Sequence, residues 1–208
     1  LQMAGSAEDA ATGAAGSTLI VDGTGEGVTG SIVEVISGNY ALSDGATLTG
    51  NTTTGDGSAI NNSANAYLLG GTITANSTTG NGGAINNAAG ANVYLQNGTI
   101  TANSAAAGGA IYSEGTVNIQ GTLSVTGNTV TNSFEAASNL VLAKDGVINV
   151  SGAVTGSAIG VAVQEANAGR TVVKLGDAVT DVKLADVLSQ ITYEGDSSLK
   201  IGEDGTLV

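Results

Sequence analysis

Residues able to do acid–base or nucleophilic chemistry are few in this chain, and they are scattered. There is no histidine and no cysteine, which excludes a Ser-His-Asp relay, a thiolate nucleophile and a thiolate metal site. The N-terminal carboxylates Asp22, Glu26, Glu34, Asp44 and Asp56 are the one set that could act on a glycan. Such catalysis needs paired carboxylates, commonly with a cation to hold developing negative charge. No Lys or Arg precedes Lys144, and no carboxylate lies between Asp56 and Glu114. These carboxylates are therefore expected to be solvated turn residues, and no catalytic residue is assigned. The run Asp22-Gly-Thr-Gly-Glu26 spaces oxygen ligands as a calcium loop does, but the rest of that pattern is missing and it reads as an acidic Gly-rich turn. The Gly-rich segments lack the lysine of a phosphate loop. Neither metal nor cofactor is expected.

Two sets of residues suit binding instead. Thr47/Thr49, Thr72/Thr74, Thr99/Thr101 and Thr122/Ser124 recur as Thr-x-Thr, which by the two-residue period of a strand places both side chains on one outward face. Such a ranked array on an uncharged surface is similar to the ice-binding faces of β-solenoid antifreeze proteins, although high β propensity alone also accounts for threonine there. Tyr67 and Tyr94 occupy equivalent positions, with Tyr112 on another face. Tyrosines so placed could stack on a sugar ring or anchor a protein partner.

These residues are positioned by a repeat. The segment from Ala66 (AYLLGGTITANSTTGNGGAINN) returns from Val93 (VYLQNGTITANSAAAGGAIYS) and again from Val117 (VNIQGTLSVTGN), with an earlier copy from Ala46 (ATLTGNTTTGDGSAINN). The alignment puts Leu48, Ile73, Ile100 and Leu123 together, then Asn51, Asn76, Asn103 and Asn128, then Ile60, Ile85 and Ile111. Each unit holds three short apolar alternations separated by Gly, Asn, Ser and Thr, the signature of three strands and three turns in about 25 residues. No unit can bury its apolar stripe alone, so the units must stack in register. The expected fold is all-β: a single-stranded right-handed parallel β-helix with three short strands per coil. Stacking turns the four aligned asparagines into a structural ladder whose amides bond one another. With 33 Gly, no Pro, no Trp and one Phe, the core must be thin and aliphatic.

The pairing of Gly-Thr-Ile-Thr-Ala-Asn with a Gly-Gly-Ala-Ile element resembles the repeats of chlamydial polymorphic outer-membrane proteins and related bacterial β-helix surface proteins. It spans roughly residues 46–130. Gly82-Gly83-Ala84-Ile85 and Gly108-Gly109-Ala110-Ile111 fit that family's first element. Its second, Phe-x-x-Asn, keeps the Asn in Ile73-Thr74-Ala75-Asn76 and Ile100-Thr101-Ala102-Asn103 but carries Ile for Phe. The resemblance implies a β-helix with an adhesin-like role and transfers no functional residue.

Residues 1–17 read as a flexible lead-in, 18–170 as the β-helix and 171–208 as a charged C-terminal cap with a short helix near Leu184 to Gln190. LIVDG at Leu19 and SIVEVISGNYAL at Ser31 read as strands of early coils. LVLAKDGVINVSGAV at Leu140 reads as a hairpin-like or coil segment turning at Asp145-Gly146. The formal charge is −13 with five basic residues, all in the last third, which excludes the basic cluster that nucleic acid or an anionic membrane requires. No apolar run reaches the length of a membrane span. The chain is expected to be an acidic, non-catalytic, extracellular or cell-surface module, part of a longer surface protein, whose partner is a host or neighbouring-cell glycan or protein. An ice-binding protein and a polysaccharide-active β-helix enzyme are the alternatives.

Overall fold

The structure is a computed structural model that describes residues 9–11, 19–24, 29–131, 139–143, 146–156 and 159–208. Inward-pointing aliphatic residues one coil apart lie directly over one another, and this builds a parallel β-helix. On the first face Ile60, Ile85, Ile111, Leu140 and Val161 form one column. On the second, Leu42, Leu68, Leu95, Ile119, Val150 and Leu175 do the same, and on the third Leu48, Ile73, Ile100 and Val125. All named strand pairings are parallel, and the first face runs seven strands deep from Val33–Val35 to Ile191–Tyr193. The columns meet in one continuous apolar core, with Ile73, Ile100 and Ile111 fully excluded from solvent.

A representative coil runs Ile85–Asn87, Asn92–Leu95, Gly98–Thr101 and then Ser104–Ala105. That last two-residue strand belongs to a fourth ladder, Thr52–Thr53, Ser77–Thr78, Ser104–Ala105 and Thr129–Val130, beyond the three strands the sequence suggested. Apolar alternation does not mark it, because each rung turns a single residue inward and two of those are Thr53 and Thr78. Their hydroxyls donate to turn carbonyls, Thr53 to Thr29 at 2.7 Å and Thr78 to Gly55.

The expected alignment of Leu123 with Ile100 is two residues out. Ile100 pairs with Val125, and Leu123 with Gly98, so Ser124 and Thr126 continue the outward pair while Thr122 falls on an earlier rung beside Thr155. The inward aliphatic residue stands three positions before each ladder asparagine, as in Leu48 to Asn51 and Ile73 to Asn76, and only Val125 keeps that spacing to Asn128.

The early strands form as read: Leu19–Asp22 pairs with Ala46–Thr49, and Asn39–Leu42 with Asn65–Leu68. Within the expected lead-in, Asp9–Ala11 pairs with Asn39–Leu42; its remaining residues lie outside the described ones. Leu140–Leu142 and Val147–Thr155 pair with different neighbours and not with each other, so this stretch is coil and not hairpin; Asp145 lies outside the described residues. The columns continue beyond residue 170, since Val173–Leu175 and Ile191–Tyr193 extend two of them. The cap includes the helix Leu184–Leu188, which buries Val187. Arg170, the only arginine, donates from its guanidinium to the carbonyls of Gln164 at 2.6 Å and of Gly146 at 3.3 Å. A cation thus satisfies strand-end carbonyls of the last coils.

Burial has one titrational consequence. Tyr40 points into the core of an early coil, is 5% exposed, and its phenol is pushed up to about 12 by desolvation. A group whose folded pKa lies above its unfolded value of about 10 contributes stability in full below pH 10 and loses it as the pH rises through 12. Stability is expected to fall by up to about 1.4 kcal/mol per pH unit across that window, and Tyr40→Phe to flatten the fall. Urea unfolding in this pH range, with tyrosinate absorbance followed in parallel, is the check.

Candidate functional site

The aligned asparagines form one continuous, directional ladder inside the coil wall. Asn76 Nδ2 donates to the carbonyls of Leu48 (3.1 Å) and Thr74 (3.0 Å) and to Oδ1 of Asn103 (3.0 Å). Asn103 repeats the pattern on Ile73, Thr101 and Asn128, and Asn128 passes it to Asn139. The backbone N–H groups of Asn51, Asn76 and Asn103 also donate to the next Oδ1. All four expected members are buried, so they hold turns together and do not face a ligand. The residue before each is held at positive φ: Gly50, Ala75, Ala102 and Gly127. At the N-terminal end the Thr24 N–H donates to Asp22 Oδ1 (2.9 Å), and Asn51 Oδ1 has no partner among the described residues.

A second buried ladder, beyond those the sequence predicts, runs through Asn62, Asn87 and Ser113. Asn62 Nδ2 donates to Asn87 Oδ1 at 2.7 Å, and Asn87 Nδ2 to Ser113 Oγ at 3.0 Å. The signal was present in Ile60-Asn61-Asn62 and Ile85-Asn86-Asn87: with Ile inward, period two turns the first Asn out and the second in.

Two of the five carboxylates, Asp22 and Asp56, accept hydrogen bonds from backbone N–H groups. Asp22 closes its own loop, Asp56 Oδ1 accepts the Asn81 N–H at 2.7 Å, Asp44 sits against Gly70, and Glu34 is exposed beside Asn61 on the first face. Glu26 lies outside the described residues. Among the described residues no three of His, Cys, Asp and Glu gather where a metal could be held, and no helix is long and apolar enough to cross a membrane.

Two outward surfaces remain. On the third face Thr47, Thr72, Thr99 and Ser124 form one column and Thr49, Thr74, Thr101 and Thr126 the other. Ile20 and Asp22 close them at the N-terminal side. On the second face Ala41, Tyr67, Tyr94, Asn118 and Asn149 lie in register. The Tyr67 and Tyr94 rings stack with centroids 4.3 Å apart and planes 4° from parallel; burial first, then its neighbour Tyr94, raises the Tyr67 phenol pKa. Beside them runs an exterior amide row: Asn92 Nδ2 donates to Asn65 Oδ1 and Asn65 Nδ2 to Asn39 Oδ1, both at 3.1 Å. Tyr112 lies elsewhere, half-buried over Val141 and Ala162 on the first face, with its hydroxyl 3.1 Å from Gln164 Oε1.

The chain is thus a parallel β-helix with an uncharged polar wall. Comparison with protein-family models, with curated proteins and with solved structures finds no match.

Proposed function

We propose that this chain is a non-catalytic, secreted or cell-surface β-helix module that presents a neutral binding face to a glycan or protein of a host or neighbouring cell. The second face carries the reading: a tyrosine stack beside a row of amides, on a coil wall with no charged residue from Gly57 to Ser113. Neutral amides and aromatic rings suit ligands rich in hydroxyl and C–H groups. The resemblance of the Gly-Gly-Ala-Ile repeats to bacterial surface proteins supports the same assignment, and engagement of Asp22 and Asp56 by backbone N–H groups argues against their use in glycan cleavage. The test is binding of the labelled chain to a glycan array and to intact cells, with fractionation of the producing cells. Retention on glycans or cells and recovery with the envelope or medium are expected; a cytoplasmic protein that binds neither overturns the proposal. The Thr columns favour a second reading, ice binding, because three successive ranks are complete. Ice-recrystallisation inhibition lost in Thr99→Tyr would move that reading to the front.

A further inference from the structure

Tyr94 and Tyr67 differ in what lies beyond the pair. The side of Tyr94 away from Tyr67 is in register with Asn118, whose side chain is 7% exposed and accepts from Asn149 at 2.9 Å. The side of Tyr67 away from Tyr94 is in register with Ala41. A methyl group reaches far less than a phenol ring, so the stack stops one place short and the outer face of Tyr67 looks across Ala41. Successive coils lie about 4.8 Å apart, and the 4.3 Å stacking of the two rings fits that pitch. The place above Ala41 therefore admits at least one ring, and the next residue in register beyond Ala41 is Ala10.

Among the described residues the amide row ends at the same level. Asn65 donates to Asn39, while Asn39 is exposed and its own Nδ2 donates to nothing among the described residues. A ring face and an amide that donates to nothing among the described residues thus border one slot. Asp44, exposed on the turn that follows Asn39–Leu42, places a negative charge near its edge.

We infer that this slot is a saccharide subsite, in which a neutral pyranose stacks its C–H face on Tyr67 over Ala41 and accepts a hydrogen bond on a ring hydroxyl from Asn39 Nδ2. The inference rests on the glycan reading above and places it on one residue pair. A pyranose uses both the aromatic face and the amide donor, whereas an aromatic peptide side chain uses only the first. The Asp44 carboxylate disfavours uronic and other acidic sugars by like-charge repulsion.

The test uses the full chain and soluble oligomers of glucose, mannose, galactose, N-acetylglucosamine and galacturonic acid, with saturation-transfer NMR and titration of the tyrosine ring signals. The spectrum is favourable, since the chain has five Tyr, one Phe and no Trp. Ala41→Tyr extends the existing stack and fills the slot while leaving Tyr67 in place. It is expected to weaken binding of a neutral oligomer by at least about tenfold, with circular dichroism unchanged. Tyr67→Phe retains binding and Tyr67→Ala loses it. If a neutral oligomer binds and Ala41→Tyr binds it equally well, the slot is wrong and the glycan reading stands. Preferential binding of the galacturonic acid oligomer likewise overturns the slot. Should no oligomer bind the native chain, the subsite and the glycan reading both fall.

Discussion

Replacing Asn103 by Ala is expected to remove about 5 kcal/mol of unfolding free energy, at roughly 1 kcal/mol for each hydrogen bond lost. The Asn103 side chain donates to Ile73, Thr101 and Asn128 and accepts from both the backbone N–H and the Nδ2 of Asn76. All five bonds go at once. The Asn76 N–H is then left buried without an acceptor, which costs more than the bond itself contributed. A domain typically has 5–15 kcal/mol of net stability, so the variant is expected to sit near the edge of folding. Asn65→Ala is the control: Asn65 also belongs to an amide row, with bonds to Asn39 and Asn92, but water can replace them there, and about 1 kcal/mol or less is expected. Urea unfolding of both variants decides the matter. Equal losses would show that the buried row is no more than a line of polar residues.

The ladder explains why so much of the fold is legible in the chain. In-register stacking requires like residues over like, so the repeat in the sequence is the coil itself, and Asn51, Asn76, Asn103 and Asn128 mark one corner in four successive coils. What escaped had particular causes. The fourth strand is short, and its inward residues Thr53 and Thr78 are polar. Asn62 and Asn87 follow outward asparagines of the same type, so composition hides which member of each pair is buried. Apolar character alone aligns Leu123 with Ile100, whereas the three-residue distance to the next asparagine singles out Val125, the residue in register. The candidate subsite was the least legible part. Tyr67 and Tyr94 are visible as a pair, but the open face of one depends on Ala41, a residue that carries no chemistry and matters only through its register.

Gly83→Ala is expected to destabilise the protein by about 3 kcal/mol, at the upper end of what overpacking costs. The reason lies between coils. A Cβ on Gly83 would stand 2.2 Å from the Gly109 carbonyl oxygen and 2.7 Å from the Ser104 N, both backbone atoms of the next coil. A side chain could rotate away; these atoms can yield only if the coils separate. Their spacing is fixed on either side by Gly83 N–H to Gly108 O at 3.1 Å and Ala84 N–H to Ala110 O at 2.9 Å. One methyl group therefore works against several ladder bonds at once in this coil, whereas the equivalent position one coil earlier is held by Ser58. Gly90 provides the contrast: it has φ +79° and nothing within 4 Å of a built Cβ. Asn tolerates that backbone region, and Gly90→Asn is expected to change stability by less than about 1 kcal/mol. Thermal and urea unfolding of the two variants would separate the effects. A Gly83→Ala protein as stable as the native chain would mean that the coils can shift apart at this corner, and that the parallel register is held elsewhere.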